Sequence, residues 1–176
     1  WLDFRRIELR DFRLMAGGLL DTASMFIPFD SLNLYYHEFD DAFQGIYTPQ
    51  SRDYSPNCRR YINLLETTYV YQDGQDGKWY YKGSDDCQEI RLVDLDRRTD
   101  HMFLFTGTSF VDAAFWADDE CFLLTKFEYN YPRPYYMVIC YDIGNANTHY
   151  YRLLAEAIPE DSYLEYDMLS RGIILE

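Results

Sequence analysis

Val93-Asp94-Leu95, a polar stretch ending in His101, then Met102-Phe103-Leu104: the same order returns 48 residues later as Tyr141-Asp142-Ile143, a polar stretch ending in His149, then Tyr150-Tyr151-Arg152. Each copy reads as strand, turn and strand, because Asp bonds its own backbone in turns and aromatic and β-branched residues suit a pleated face. A fainter echo lies fifty residues apart, between Trp116-Ala-Asp-Asp-Glu-Cys-Phe-Leu-Leu and Tyr166-Asp-Met-Leu-Ser-Arg-Gly-Ile-Ile. A period near 48 with about four strands per unit is the signature of propeller blades.

The same alternation extends outward. Asp73-Gly74 and Asp76-Gly77 stand between Tyr69-Val70-Tyr71 and Trp79-Tyr80-Tyr81, a hairpin signal, since Asp-Gly supplies the positive φ that tight turns require. Further strands are predicted at Glu89 to Asp94, Met102 to Phe105, Val111 to Trp116, Cys121 to Phe127, Tyr135 to Tyr141 and Thr148 to Leu153. The connections between them are short, in the range of hairpin loops. Residues 153 to 157 have helix-favouring composition, cut short by Pro159. In the N-terminal third, Phe26 to Phe29 and Leu32 to Phe39 read as strands, Gly17-Gly18 as a turn or bend, and residues 48 to 58 as an exposed loop.

Phe115-Trp116-Ala117-Asp118-Asp119-Glu120-Cys121-Phe122-Leu123-Leu124 resembles the strand-turn-strand core of TolB-like propeller repeats, which read aromatic, Ser, Pro, Asp, Gly, Lys and then an apolar strand. Val138-Ile139-Cys140-Tyr141-Asp142-Ile143-Gly144 resembles their third strand, and Arg91-Leu92-Val93-Asp94-Leu95 repeats it. The likeness covers residues 87 to 154; it departs where Asp118 stands for Pro and Glu120 for Gly, and no Trp-Asp strand ending occurs. It implies an all-β domain, an antiparallel meander of four-stranded blade-like units. One domain over residues 1 to 176 would hold units near 60 to 106 and 107 to 154, with 158 to 176 closing against 1 to 20, where Trp1 to Arg13 alternates well enough to supply strands. Closure would leave no unpaired sheet edge. An open β-sandwich or half-barrel is the alternative.

Composition agrees with a β domain. Aromatic residues make up 19% of the chain, with 18 Tyr, 12 Phe and 3 Trp, and such rings pack one face while a polar tip reaches water. The 30 acidic against 16 basic residues give a formal charge of −14, which disfavours nucleic acid and anionic lipid and serves solubility. No apolar run reaches the roughly 18 residues of a membrane helix, so no membrane insertion is expected. The chain opens on Trp1 rather than Met, so an N-terminal segment is expected to have been removed, and no Asn-x-Ser/Thr acceptor occurs. Cys58, Cys87, Cys121 and Cys140 form no Cys-x-x-Cys pair; buried thiols are expected over disulfides, because a chain of this size needs no staples.

Few residues point to chemistry. The doublets Asp40-Asp41, Asp85-Asp86 and Asp118-Asp119 could bind a hard cation or divide acid and base roles, but each sits where a strand turns, which favours a turn role. Asp73-Gly-Gln-Asp-Gly77 lacks the register and distal Glu of a calcium loop. His101 and His149 hold equivalent repeat positions, with His37 the third histidine, and a structural role is expected for them. No Gly-x-Ser-x-Gly elbow, phosphate loop or His-Glu-x-x-His occurs. No cofactor or metal is expected.

What remains is aromatic. Tyr129, Tyr131, Tyr135 and Tyr136 cluster around Pro132 and Pro134, and Trp79 heads a second group. Exposed rings stack on sugars or anchor protein partners. The expected function is a non-catalytic binding or scaffold domain with a protein or glycan partner. A glycosidase-type hydrolase using loop carboxylates, or an acidic inhibitor masking a basic partner, are the alternatives.

Overall fold

The computed structural model describes residues 1–19, 52–64, 69–82, 88–107, 109–129, 134–145, 147–153 and 161–176. In chain order these form helix α1 (Leu2–Arg5), β1 (Phe12–Leu19), β2 (Arg52–Tyr54), β3 (Arg60–Asn63), β4 (Tyr69–Gln72), β5 (Trp79–Lys82), β6 (Gln88–Asp94), β7 (Thr99–Thr106), β8 (Ser109–Trp116), β9 (Cys121–Glu128), β10 (Tyr135–Asp142), β11 (Asn147–Leu153), helix α2 (Tyr163–Ser170) and β12 (Ile173–Leu175). The fold is mostly β, and its sheets are antiparallel except where β12 runs parallel to β5.

Two of the sheets contain four strands paired in chain order. One sheet runs β2-β3-β6-β7; a second runs β8-β9-β10-β11 with β1 added beside β11. Each holds a four-stranded meander, and the turns that close the two meanders are built alike. Asp94 Oδ1 accepts from the Arg97 backbone N–H at 2.9 Å, and Asp142 Oδ1 accepts from the Asn145 N–H at 2.8 Å. A carboxylate taking the amide three residues on pins the chain reversal in both units.

The Asp-Gly hairpin forms as predicted. Asp73 Oδ1 accepts from Gln75 N–H, and Gly77 takes φ +70°, a conformation any Cβ would strain. Yet β4 and β5 belong to neither meander. They interrupt the first one between β3 and β6 and make a third sheet with β12.

One core draws on all three sheets. Ile62, Ile90 and Leu92 of the first meander meet Val111, Phe122, Leu124 and Ile139 of the second, with Leu164, Met168 and Ile173 from the C-terminal segment. The first meander is buried on both faces: Ile62, Ile90 and Leu92 lie on the core side, while Tyr61, Val93, Arg91 and Asp100 are equally enclosed on the other. The buried Arg91 guanidinium meets the Asp100 carboxylate at 3.1 Å, as a charge removed from water requires.

Several expectations are corrected. The echo at 166 to 174 is a helix followed by a short strand, not a blade turn. Ser162 Oγ accepts from Glu165 N–H at 3.2 Å, and Leu164 and Met168, four residues apart, are buried on one face. A capped start and an i, i+4 apolar pair favour a helix over strand alternation. Trp1 to Arg13 becomes α1, a 3₁₀ turn at Leu9–Asp11 and the start of β1. Gly17 and Gly18 do not bend the chain; they pair with His149 and Thr148 inside β1. Residues 52 to 54, within the expected loop, form β2 because they find Asn63, Ile62 and Tyr61 as partners. The two chain ends do not share a sheet, since β1 joins β11 and β12 joins β5. Cys58 is exposed, and Cys121 and Cys140 are half-buried, all three as free thiols. The strands expected at Phe26 to Phe29 and Leu32 to Phe39 lie outside the described residues.

Candidate binding site around Tyr129

The alternation of β9 and β10 splits the predicted aromatic cluster. Tyr135 pairs with Glu128 and Tyr136 with Phe127, so Tyr135 and Tyr136 point to opposite faces of the sheet. Tyr136 is only 2% exposed and packs with Phe127 and Leu153 in a small second core. It is therefore not a surface ring. Tyr135, half-buried, lies under the Arg152 guanidinium, 3.8 Å from its ring centre. Trp79 is half-buried against the main core. Tyr131 lies outside the described residues. Of the described rings of the set, Tyr129 reaches furthest into solvent, at 53% exposure.

Tyr129 is held although it is exposed. Its ring meets the buried Phe127 at 4.7 Å in a T-shaped contact, which leaves at least one Tyr129 face free of Phe127. Burial raises its phenol above the ordinary range; the Asp112 charge adds to this and Arg5 opposes it.

Arg5 and Asp112 form the floor beside this ring. The register of β8 against β9 shifts between Val111 and Ala113, so Asp112 is the unpaired residue of a β-bulge, a device that re-aims a side chain. Its buried carboxylate accepts from Arg5 Nη2 at 2.8 Å and from Trp1 Nε1 at 3.2 Å. The Arg5 guanidinium lies 5.1 Å from the Tyr136 ring centre and 5.0 Å from that of Phe4, a cation–π sandwich that also fixes its direction. The Tyr136 hydroxyl is buried beside this pair with no hydrogen-bond partner among the described residues. Trp1 completes the wall, edge-on to Tyr136 at 5.4 Å.

Arg5 and Trp1 escape a reading of the sequence. Arg5 stands in one of three scattered Arg pairs, and only the tertiary fold brings α1 against β8. Asp112 carried a readable signal: a lone charge inside Val111-Asp112-Ala113-Ala114 must be paired if that strand is buried.

The other candidate residues have structural roles where they are described. Asp118 Oδ1 accepts from the Glu120 and Cys121 amides, both at 2.8 Å, while Asp119 Oδ1 accepts from the Asn57 amide at 2.8 Å. The two carboxylates are thus occupied separately, one in its own turn and one bridging to the first meander. In the Asp73–Gly77 segment, Asp76 accepts from Lys78 N–H and from the Tyr80 hydroxyl, as a hairpin turn requires. His149 sits on β11 opposite Cys140. Asp40-Asp41, Asp85-Asp86, His37 and Cys87 lie outside the described residues. Among the described residues no group of three or more His, Cys, Asp or Glu side chains is placed to hold a metal ion, and no helix is long and apolar enough to cross a membrane.

Compared with models of known protein families, with curated proteins and with solved structures, the chain matches none.

Proposed function

We propose that this chain is a non-catalytic binding domain made of blade-like units, which takes a protein or glycan partner at a surface centred on Tyr129. The observation that carries the reading is the combination of exposure and fixation at that ring. A half-exposed aromatic anchored on a buried one loses little conformational entropy when a partner covers it, and Tyr is enriched among residues that dominate interfaces. The Arg5–Asp112 pair beside it supplies a rigid polar neighbour.

The propeller-like part of the reading is supported by two sequential four-stranded meanders whose Asp-led turns repeat after 48 residues. It is supported too by Tyr54-Ser55-Pro56-Asn57, which follows the aromatic-Ser-Pro-Asp pattern of such repeats and leads from β2 into the turn before β3. Cys58, where that pattern has Gly, takes φ +57°, the left-handed conformation that favours Gly. The hydrolase alternative draws no support from Asp118-Asp119, since the Oδ1 atom of each accepts from backbone amides in separate turn contacts.

Tyr129→Ala tests the reading. A surface truncation of this kind costs less than about 1 kcal/mol of stability, so the urea midpoint stays close to that of the parent chain. Binding of the variant to a glycan array, or its capture of a protein partner that a photoreactive side chain at position 129 of the parent chain identifies, falls by about 30-fold, the loss of roughly 2 kcal/mol expected at an interface anchor. Retention of the same glycan or protein at unchanged strength by the variant would overturn it. A salt series separates partner types, because a basic partner weakens steeply as salt rises and a neutral glycan does not.

A further inference from the structure

We propose that Cys121 and Cys140 form a reversible dithiol–disulfide couple, a cross-strand staple between β9 and β10. Their sulfur atoms stand 3.5 Å apart, so closing the bond requires about 1.5 Å of approach to the ordinary S–S length. Both side chains lie on the outer face of the sheet, since their neighbours Phe122 and Tyr141 turn into the core. Both are half-buried rather than sealed, which leaves a small oxidant room to reach them.

The register makes the staple reducible. Cys121 is opposite Asp142 and Cys140 opposite Leu123, so the cysteines are diagonal neighbours rather than a directly facing pair. Diagonal positions lie about 7–8 Å apart across the two strands, so the approach of the sulfurs must also draw the backbones together, and the closed bond is strained. A strained disulfide is more easily reduced than a structural one. Burial, and the hydrogen bond with Cys140, push the Cys121 thiol up to about 12, so Cys121 rests as the protonated thiol at neutral pH. His149 pairs with Cys140 in the register of β10 against β11, so it shares that face of the sheet.

The exchange balances with a low-molecular-weight disulfide such as oxidised glutathione as oxidant. The Cys140 thiol gives its proton to solvent, and the thiolate attacks one glutathione sulfur. The glutathione S–S bond breaks, and one glutathione leaves as a thiolate that takes up a proton. Cys140 no longer hydrogen-bonds Cys121, so the second thiol deprotonates more readily. Its thiolate attacks the Cys140 sulfur of the mixed disulfide and expels the second glutathione. The protein has lost two electrons and two protons, and one oxidised glutathione has become two reduced ones.

The test uses the intact chain in a series of glutathione redox buffers, trapped with acid and digested with trypsin under non-reducing conditions. Cleavage after Arg98, Lys126 and Arg152 puts the two cysteines on separate peptides, 99–126 and 127–152. The expected product joins these peptides with the loss of two hydrogens, dominates over glutathione adducts at either cysteine, and disappears when reduced glutathione is in excess. Exposed Cys58 reports in the same sample that the oxidant is active. Glutathione left on Cys121 or Cys140 without the cross-link would overturn the proposal, and so would two free thiols beside a modified Cys58. A cross-link that persists in excess reduced glutathione would overturn its reversibility.

Discussion

Removing the guanidinium of Arg60 tests how the two meanders are joined. Arg60 Nε donates to Asp94 Oδ2 at 2.9 Å, Nη1 donates to the Asp119 carbonyl at 2.9 Å, and Nη1 also lies 2.9 Å from Glu120 Oε1. One side chain on β3 therefore holds its own sheet's closing turn and the turn between β8 and β9. The Asp94 carboxylate is 3% exposed, whereas that of Glu120 is half-exposed. The Asp94 contact dominates, because a charged hydrogen bond to a buried carboxylate contributes about 1.5–3 kcal/mol and an exposed ion pair less than about 1 kcal/mol. Arg60→Met keeps the apolar stem and loses these contacts, but Asp94 retains the Arg97 amide and has the Arg97 side chain at 3.9 Å. The expected loss is about 3 kcal/mol, roughly 6–12 °C in melting temperature for a chain of this length.

A double-mutant cycle with Asp94→Asn isolates the pair, and urea unfolding should return a coupling of about 2 kcal/mol. The pH dependence must agree. Burial works against the Asp94 charge, but Arg60 and the Arg97 amide outweigh it and hold the carboxyl below its ordinary value. A carboxyl depressed in the folded state stabilises above its unfolded pKa, and that contribution is lost as pH falls through the folded value. In Arg60→Met the folded value rises, so the loss on acidification should be smaller than in the parent chain. A loss under about 1 kcal/mol, or additive behaviour in the cycle, would refute the account of this joint.

Two other sites yield sharp expectations. Burial pushes the Asp53 carboxyl from 3.8 up to about 6 even though Arg171 lies at 2.6 Å; the folded chain then holds a proton the unfolded one has released, so stability declines as pH rises from about 4 to 6. Asp53→Asn should remove up to about 3 kcal/mol of that decline, read as the difference between variant and parent in urea midpoints at pH 4 and 7, and identical slopes would count against it. Gly172 ends α2 at φ +81° with nothing within 4 Å of an added Cβ, so Gly172→Ala should cost about 1 kcal/mol from backbone strain alone. Ser162→Ala, which removes the cap at the other end of α2, should cost a similar amount, about 1 kcal/mol; thermal melts of both variants decide the point, and unchanged melts would remove the cap account.

Local elements follow from the residue pattern alone. Alternation and Asp-led turns placed β6 to β11 within a few residues, and the Asp73–Gly77 turn formed where its glycines allow it, because period-two side chains and positive-φ positions are local properties. Ser162 and Glu165 carried a legible cap for α2 as well, but the echo of the repeat pointed to a strand, and Leu164 and Met168 find their core partners only in the fold. Tertiary structure alone decided the pairings. Nothing local says that β4–β5 leaves the first meander to meet β12, or that Gly17-Gly18 extends along β11, since strand partners are chosen by burial summed over the whole core. The site followed the same division. Exposure of Tyr129 was legible from its place at a strand end, whereas the bulge that turns Asp112 toward Arg5 and Trp1, and the register that brings Cys121 to Cys140, depend on contacts between distant segments.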